Sequence, residues 1–383
     1  MNTQEAVLTQ QIKQEARRLG FDLVGVTTPY PPPHLDVYRQ WLDLGRHGEM
    51  HYLAKEPAIR RRSNPLEILP ECKSILVTGM NYLPSRSSGK TSTPRISSYA
   101  LGEDYHDVII PRLEELMHYI HRLVGFSVPY RIYTDTGPLL ERELAQRCGL
   151  GWIGKNTCLI HPQMGSFFFL GEIMLGLELA IDTPFGKDPC GTCTRCIDAC
   201  PAGCILPDRT LDAQRCIAYL TIELKGAIPK NLRPLLGDWI FGCDICQEVC
   251  PWNVRFARTT EEVAFQPNPY LLRPSLSGLL ELSQDEFRIQ FRKSPLKRPK
   301  WNGILRNAAV VAGNRGGIEI VPLLANLLMK HPASLVRSHA AWALGKIGGQ
   351  AARESLEKAK GVEKDHSVIK EIIDAIQAQG KSS

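Results

Sequence analysis

The chain has no uninterrupted apolar stretch long enough to cross a bilayer. Its most apolar segment, Ser166 to Ile181, is 16 residues long and includes Glu172 and Glu178, whereas a membrane helix needs about 20 apolar residues. The segment reads instead as buried strand and helix, and no membrane association is expected. Met1 to Gly20 is polar and amphipathic, and it lacks the charged start, apolar core and small-residue cleavage site of a secretory signal. A cytoplasmic location is therefore expected. There is also little excess of charge: 46 Lys and Arg against 40 Asp and Glu leave +6. The distribution of charge matters more than this sum, because a local basic stripe can bind phosphates even when the whole chain is only mildly basic.

Cysteine, by contrast, is plentiful. Twelve cysteines without an export signal argue against a disulfide framework, because the cytosol keeps thiols reduced, and point to metal binding or catalysis. Cys190, Cys193, Cys196 and Cys200 stand as C-x2-C-x2-C-x3-C before Pro201, the bacterial ferredoxin run that holds cubane clusters. Cys243, Cys246 and Cys250-Pro251 repeat it one ligand short, and Cys216 lies between the halves to complete it. By the crossing rule of two-cluster ferredoxins, one [4Fe-4S] cluster takes Cys190, Cys193, Cys196 and Cys250, and the other takes Cys200, Cys216, Cys243 and Cys246. Cys204 is a rival to Cys200 but lacks the following proline. Zinc sites are the alternative, yet they pair cysteines two and two and seldom use three at successive spacings of three. Cys72, Cys148 and Cys158 sit among apolar neighbours and read as small core residues.

A chain of 383 residues with 43% hydrophobic content can bury two or three cores. Three regions separate by pattern, and together they indicate an α+β multi-domain protein. Residues 1–180 mix helical stretches (Glu5 to Leu19, Asp107 to Leu123, Leu139 to Cys148) with β-type runs (Asp22 to Thr27, Ser74 to Gly79, Tyr130 to Thr134), so this region is α/β or α+β. The polar run Ser85 to Thr93 reads as a surface loop. Residues 181–260 are dominated by cysteine motifs, and metal clusters must hold this ferredoxin-like domain together. Residues 261–383 are helical and repetitive: Gly313, Gly316 and Gly317 recur 32 residues later as Gly345, Gly348 and Gly349, and Ala308-Ala309 recurs as Ala340-Ala341. Small residues at such a period mark HEAT-like repeats, with an ordinary helical bundle as the alternative.

Just before the repeats, Arg288 to Arg306 contains seven positive residues and no acidic one, with Trp301 among them. Charge of one sign with an interleaved aromatic suits RNA, because cations hold phosphates and rings stack on bases. Lys297, Arg298, Lys300, Trp301 and Arg306 are the candidate contacts; a solvated basic surface is the plain alternative. Gly149 to Asn156 contains G-x-G-x-x-G, but the dinucleotide fingerprint needs a strand before it and a helix after it. Here a helical pattern precedes, and an apolar run with Pro162 follows. Asn156 also stands where a P-loop needs Ser or Thr. The glycines still indicate close approach of backbone to something bulky, with Lys155 and Asn156 as donors. Tyr133-Thr134-Asp135-Thr136-Gly137-Pro138 follows a strand pattern and leads into a helix. Asp135 either caps that helix or lies at the strand end as a proton donor.

Together these residues resemble the epoxyqueuosine reductase family of queuosine tRNA modification. The resemblance rests on Tyr99-Ala100-x-Gly102-x-Asp104-Tyr105-His106, on Tyr133 to Pro138, on Gly149 to Asn156, on the eight cysteines, and on Arg306-Asn307-Ala308. It implies cob(II)alamin in the N-terminal region beside two [4Fe-4S] clusters, with reduction of the epoxide to an alkene by two electrons and two protons. It further implies a tRNA substrate carrying epoxyqueuosine in its anticodon loop and a low-potential electron donor; a monomer is expected. Carried onto this sequence, Asp135 matches the proton donor. Lys155, Asn156 and Ser166 match positions near the corrin, and Tyr99 and Arg61 are further candidates there. Ser98 departs from the arginine that the family often carries before the Tyr-Ala pair. Asp104-x-His106 is similar to a cobalt-ligating D-x-H-x-x-G motif, but Ile109 replaces the glycine, so His106 is read as structural and cobalt is expected to lack a protein ligand. A corrinoid reductive dehalogenase is the nearest alternative enzyme, though such enzymes carry an export signal. An electron-transfer ferredoxin on a helical scaffold is the alternative from another class.

Overall fold

The computed structural model describes residues 3–85 and 94–380; apart from Ser85, the loop expected at Ser85 to Thr93 lies outside them. The chain divides into two compact units, one formed by Met1–Ser85, Gly102–Ala213 and Asp244–Gln266, the other by Arg86–Leu101, Gln214–Cys243 and Pro267–Ser383. This differs from the three consecutive segments 1–180, 181–260 and 261–383. Cysteine loops with little apolar content cannot bury a core of their own, so each cysteine-bearing segment joins a unit that has one.

The first unit is built on a four-stranded sheet in the spatial order Leu23–Thr27, Ser74–Asn81, Phe168–Leu175, Tyr130–Tyr133. Every pair is antiparallel, so of the two classes left open the α+β one applies. The two central strands are buried along nearly their whole length, as expected where helices cover both faces of a sheet. On one face, Leu144, Ala145 and Cys148 of the region around helix Glu141–Arg147 pack with Leu23, Ile75, Val77 and Met174. On the other, helix Tyr105–Val124 approaches so closely that a side chain at Gly171 would meet Ile109 and Leu113. The apolar segment 166–181 contributes one strand and then irregular chain, and no helix. The strand consumes the apolar residues, and the segment beyond it is tied by Asp182, which accepts from Lys13 and from the Val26 amide.

The second unit contains the helices Lys300–Arg315, Val321–Lys330, Ser334–Ile347, Gln350–Lys360 and His366–Gln379. The 32-residue period is physical. A Cβ on Gly313 would stand 2.5 Å from the Trp342 ring and 3.0 Å from Ala343, and one on Gly345 would stand 2.6 Å from Ala375. Each glycine lets the next repeat's helix come into backbone contact, at the same place in both repeats.

Candidate active site

In the first unit, Cys190, Cys193, Cys196 and Cys250 line a cavity of about 280 Å³ together with Lys155, Asn156 and Trp252. None of the twelve cysteines forms a disulfide. The four thiols are mutual neighbours: the charges of Cys190 and Cys250 both act on Cys196. A converging set of four soft donors around a cavity fits a cubane cluster. The loops that carry them are tied down. The Lys155 ammonium donates to the carbonyls of Gly191 at 2.7 Å and Cys193 at 3.0 Å, the Asn156 amide donates to the Cys246 carbonyl at 3.4 Å, and the Trp152 indole N–H donates to Cys190 Sγ at 3.3 Å. Ser166, buried, accepts from Gln247 at 3.0 Å and from Asn253 at 2.9 Å. Lys155, Asn156 and Ser166 thus brace the cysteine loops. The glycine motif serves the same end: Gly151 has φ +151, and a Cβ there would stand 2.2 Å from the Ile160 carbonyl oxygen, which closes the hairpin Trp152–Ile153 with Leu159–Ile160. Cys200 and Cys246 belong to the first unit, and Cys216 and Cys243 to the second. Cys204 Sγ stands 3.3 Å from Cys200 Sγ.

Asp135 follows the edge strand Tyr130–Tyr133 in a left-handed conformation, φ 61, which costs a non-glycine residue energy and persists where surroundings impose it. Two partners impose it here. The Tyr105 hydroxyl donates to Asp135 Oδ2 at 2.8 Å, and the Asp135 amide donates to Glu141 Oε1 at 2.6 Å. Asp135 does not cap the helix that follows, which begins at Glu141 after Leu140 with no side-chain cap. Asp135 lines a cavity of about 380 Å³ together with Tyr38, Trp41, Arg62, Glu141 and Arg142. Burial, and then the negative charge of Asp135, push the Glu141 carboxyl up to about 7. Glu172, fully buried on the central strand, is raised well above the ordinary carboxylate range by burial and by Glu141.

Other expected residues are less central. Arg61 is exposed, while the neighbouring Arg62 is buried, lies over the Tyr38 ring and reaches the Gly137 carbonyl. Tyr99 lies in the second unit, half-buried, its ring 5.9 Å from Phe241. His106 Nδ1 lies 2.7 Å from Asp104 Oδ1, and its buried Nε2 has no hydrogen-bond partner among the described residues.

In the second unit, the basic stripe forms a groove of about 310 Å³ lined by Phe287, Arg288, Arg292, Lys297, Lys300 and Trp301. Lys297 and Lys300 are exposed. Arg298 is exposed too, but its guanidinium pairs with Glu223 at 2.9 Å. The Trp301 indole N–H donates to the Leu282 carbonyl at 2.7 Å. Arg306 has to be withdrawn from the RNA-contact set. It is 0% exposed, and its guanidinium donates to the carbonyls of Leu220, Leu224 and Gly226 and to Asn307 Oδ1. It satisfies the end of helix Ile217–Ile222, where orphan carbonyls favour a cation, and cannot reach a phosphate.

Comparison with known proteins identifies the family. A family model described as "Epoxyqueuosine reductase QueG, DUF1730" matches residues 62–136, one for a 4Fe-4S double cluster binding domain matches 189–253, and one for HEAT repeats matches 299–377. An epoxyqueuosine reductase of Pseudomonas aeruginosa is 42% identical over 350 residues, covering 90% of this chain and 95% of that protein. The chain belongs to the epoxyqueuosine reductase family. A crystal structure of an epoxyqueuosine reductase with an epoxyqueuosine-modified tRNA-Tyr stem loop superposes with TM-score 0.91 at 32% identity, covering 98% of this chain and 99% of that one. A Bacillus subtilis epoxyqueuosine reductase, with its aspartate catalytic loop swung out of the active site, superposes with TM-score 0.89 at 32% identity over 97% and 99% of the two chains. Within this epoxyqueuosine reductase family member, sequence reasoning overlooked Arg62, Glu141, Glu172 and Asn253. Glu172 carried a signal: on a strand with period two it is in phase with the apolar Phe168, Leu170 and Met174.

Proposed function

We propose that this chain reduces the epoxide of epoxyqueuosine in tRNA to the alkene of queuosine, with cob(II)alamin and two [4Fe-4S] clusters as its redox groups. The observation that carries the reading is Asp135: a carboxylate at a strand end, held in a strained backbone conformation by Tyr105 and Glu141 on the rim of a cavity. A general acid has to be pointed at the atom it protonates, and the Tyr105 hydroxyl fixes one Asp135 oxygen while leaving the other available. The aspartate catalytic loop of the B. subtilis structure and the modified tRNA stem loop of the other support carrying both the acid and the substrate to this chain. In domain terms, residues 1–180 would hold the corrinoid and the acid, 181–260 the clusters, and 261–383 the RNA.

The redox groups, when bound, supply single electrons at low potential to the strained epoxide. Cys190, Cys193, Cys196 and Cys250 would hold one cluster, and Cys200, Cys216, Cys243 and Cys246 the other. The Trp152 N–H on Cys190 Sγ would draw charge from that ligand and so tune the potential of a cluster held there. Around the corrinoid, the residues present fit a ligand rich in amides: His106 keeps a buried ring nitrogen without a described partner, and Arg62 is already positioned under the Asp135 loop. Lys155, Asn156 and Ser166 would act on this side by holding the cysteine loops in place. Asp135 gives its proton to the departing epoxide oxygen. The groove at Lys297 and Lys300 would take the tRNA backbone, since its cations and aromatic floor suit phosphate and base.

The test is anaerobic turnover of an epoxyqueuosine-containing stem loop by the reconstituted protein, with metal and corrinoid analysis of the same preparation. Loss of one oxygen from the modified nucleoside supports the reading. Protein that holds iron and corrinoid yet leaves the epoxide intact overturns it.

A further inference from the structure

The reduction consumes two protons for each epoxide, and one Asp135 carboxyl carries one. The first unit contains a candidate source for the second. Glu172 lies on strand Phe168–Leu175 opposite Val77 and Tyr133, on the face covered by helix Glu141–Arg147. It is 0% exposed, and among the described residues neither carboxyl oxygen meets a donor other than the Glu141 carboxyl. An ionised carboxylate in such a place would cost several kcal/mol, so the group keeps its proton. Its side-chain neighbour is the Glu141 carboxyl. Glu141 is in turn fastened to the Asp135 loop through the Asp135 amide at 2.6 Å, and the Asp135 charge acts on both glutamates. Arg142 is the cation that acts on Glu141 from its own helix, and Tyr105 is the donor that faces Asp135 from helix Tyr105–Val124.

We infer that Glu172 and Glu141 form a proton reserve that reloads Asp135 within one turnover. The inference rests on the reading of Asp135 as the proton donor. Glu141 first protonates the Asp135 carboxylate, which passes that proton to the epoxide oxygen as one C–O bond breaks. Glu141 then takes the proton of Glu172 and passes it to the Asp135 carboxylate. The reloaded Asp135 protonates the oxygen again as the second C–O bond breaks, and it leaves as water. Two electrons from the low-potential donor complete the carbon–carbon double bond, so that two protons and two electrons balance one oxygen removed. Glu141 and Glu172 are positioning residues, since they act through Asp135. The raised carboxyl of Glu141, near 7, suits an acid that must both hold and release a proton at neutral pH.

The experiment compares wild type with Glu141→Gln, Glu141→Asp, Glu172→Gln and Asp135→Asn, all reconstituted and checked for iron and corrinoid. Gln at 141 still accepts the Asp135 amide but carries no proton. Wild-type kcat is expected to fall as pH rises through about 7, where Glu141 loses its proton. Glu141→Gln is expected to lose kcat by about 100-fold with KM for the stem loop unchanged, and to lose that pH dependence. Glu141→Asp should regain part of the rate. Infrared spectra of the wild type at neutral pH should contain the C=O stretch of a protonated carboxylic acid, weakened in Glu172→Gln by the loss of one buried carboxyl. If both Gln variants keep the wild-type rate and pH profile while Asp135→Asn is inactive, the reserve is overturned and the role of Asp135 stands. Activity in Asp135→Asn would overturn the reading beneath it. A wild-type spectrum without the acid band overturns the reserve whatever the variants do.

Discussion

Each unit buries an ionisable side chain completely, and the two sites have opposite logic. Arg306, at the heart of helix Lys300–Arg315, gives its donors to three fixed carbonyls and to Asn307, which itself donates to the carbonyls of Thr221 and Ile240. Glu172, in the middle of its sheet, has only another carboxyl, that of Glu141, facing its oxygens among the described residues. A buried charge that is fully hydrogen-bonded holds elements together, and removing it strands its partners. A buried acid without donors stores a proton and costs stability whenever it ionises. Burial alone therefore does not separate structure from chemistry; the state of the partners does.

That contrast can be broken in order of expected effect. Asp135→Asn should lower turnover by about 100-fold to 10,000-fold without shifting the denaturation midpoint, since Asp135 is exposed; single-turnover assays beside urea titrations would check both. Arg306→Met should destabilise the second unit by about 3 kcal/mol or more, because several buried carbonyls lose their donor together. The loss should be the same at pH 6 and pH 8, since arginine does not titrate there, and urea midpoints at both pH values measure it. Replacing Lys297 and Lys300 with Ser should weaken stem-loop binding and flatten its salt dependence by about 0.7–0.9 in slope for each phosphate that is no longer neutralised. Arg298→Ser should do less, because Glu223 already holds that guanidinium.

The smallest effect concerns Glu172→Gln. The folded carboxyls of Glu141 and Glu172 are raised above the ordinary value of 4.5, so their contribution is intact below that pH and is lost as pH rises through about 7 and beyond. The variant should flatten this decline and be at least as stable as the wild type at pH 8. A variant less stable than wild type at pH 8 would make Glu172 a structural partner like Arg306.

The repeats were legible because the constraint is local and periodic: Gly313 and Gly345 exist to admit Ala343 and Ala375, and a fixed spacing is visible in any sequence. The cysteine runs were legible because cluster geometry dictates ligand spacing. Strand and helix positions followed from apolar periodicity, as in Tyr130–Tyr133 and Tyr105–Val124. Arg306 was misread because linear proximity placed it in a basic stripe, although its neighbours Leu305, Asn307 and Ala308 are buried with it. Glu141 and Glu172 escaped because they are 31 residues apart in sequence and meet only when helix Glu141–Arg147 lies on the sheet. Lys155 and Asn156 were found for their donors, but which acceptors they serve depends on loops that no spacing specifies.

The measurement that tests the account most directly is single turnover of an epoxyqueuosine-containing stem loop under strictly anaerobic conditions, by wild type and by Asp135→Asn matched for iron and corrinoid. The account requires the wild type to convert the nucleoside to queuosine with loss of one oxygen and the variant to fall behind by at least about 100-fold. Equal conversion by both proteins would contradict it.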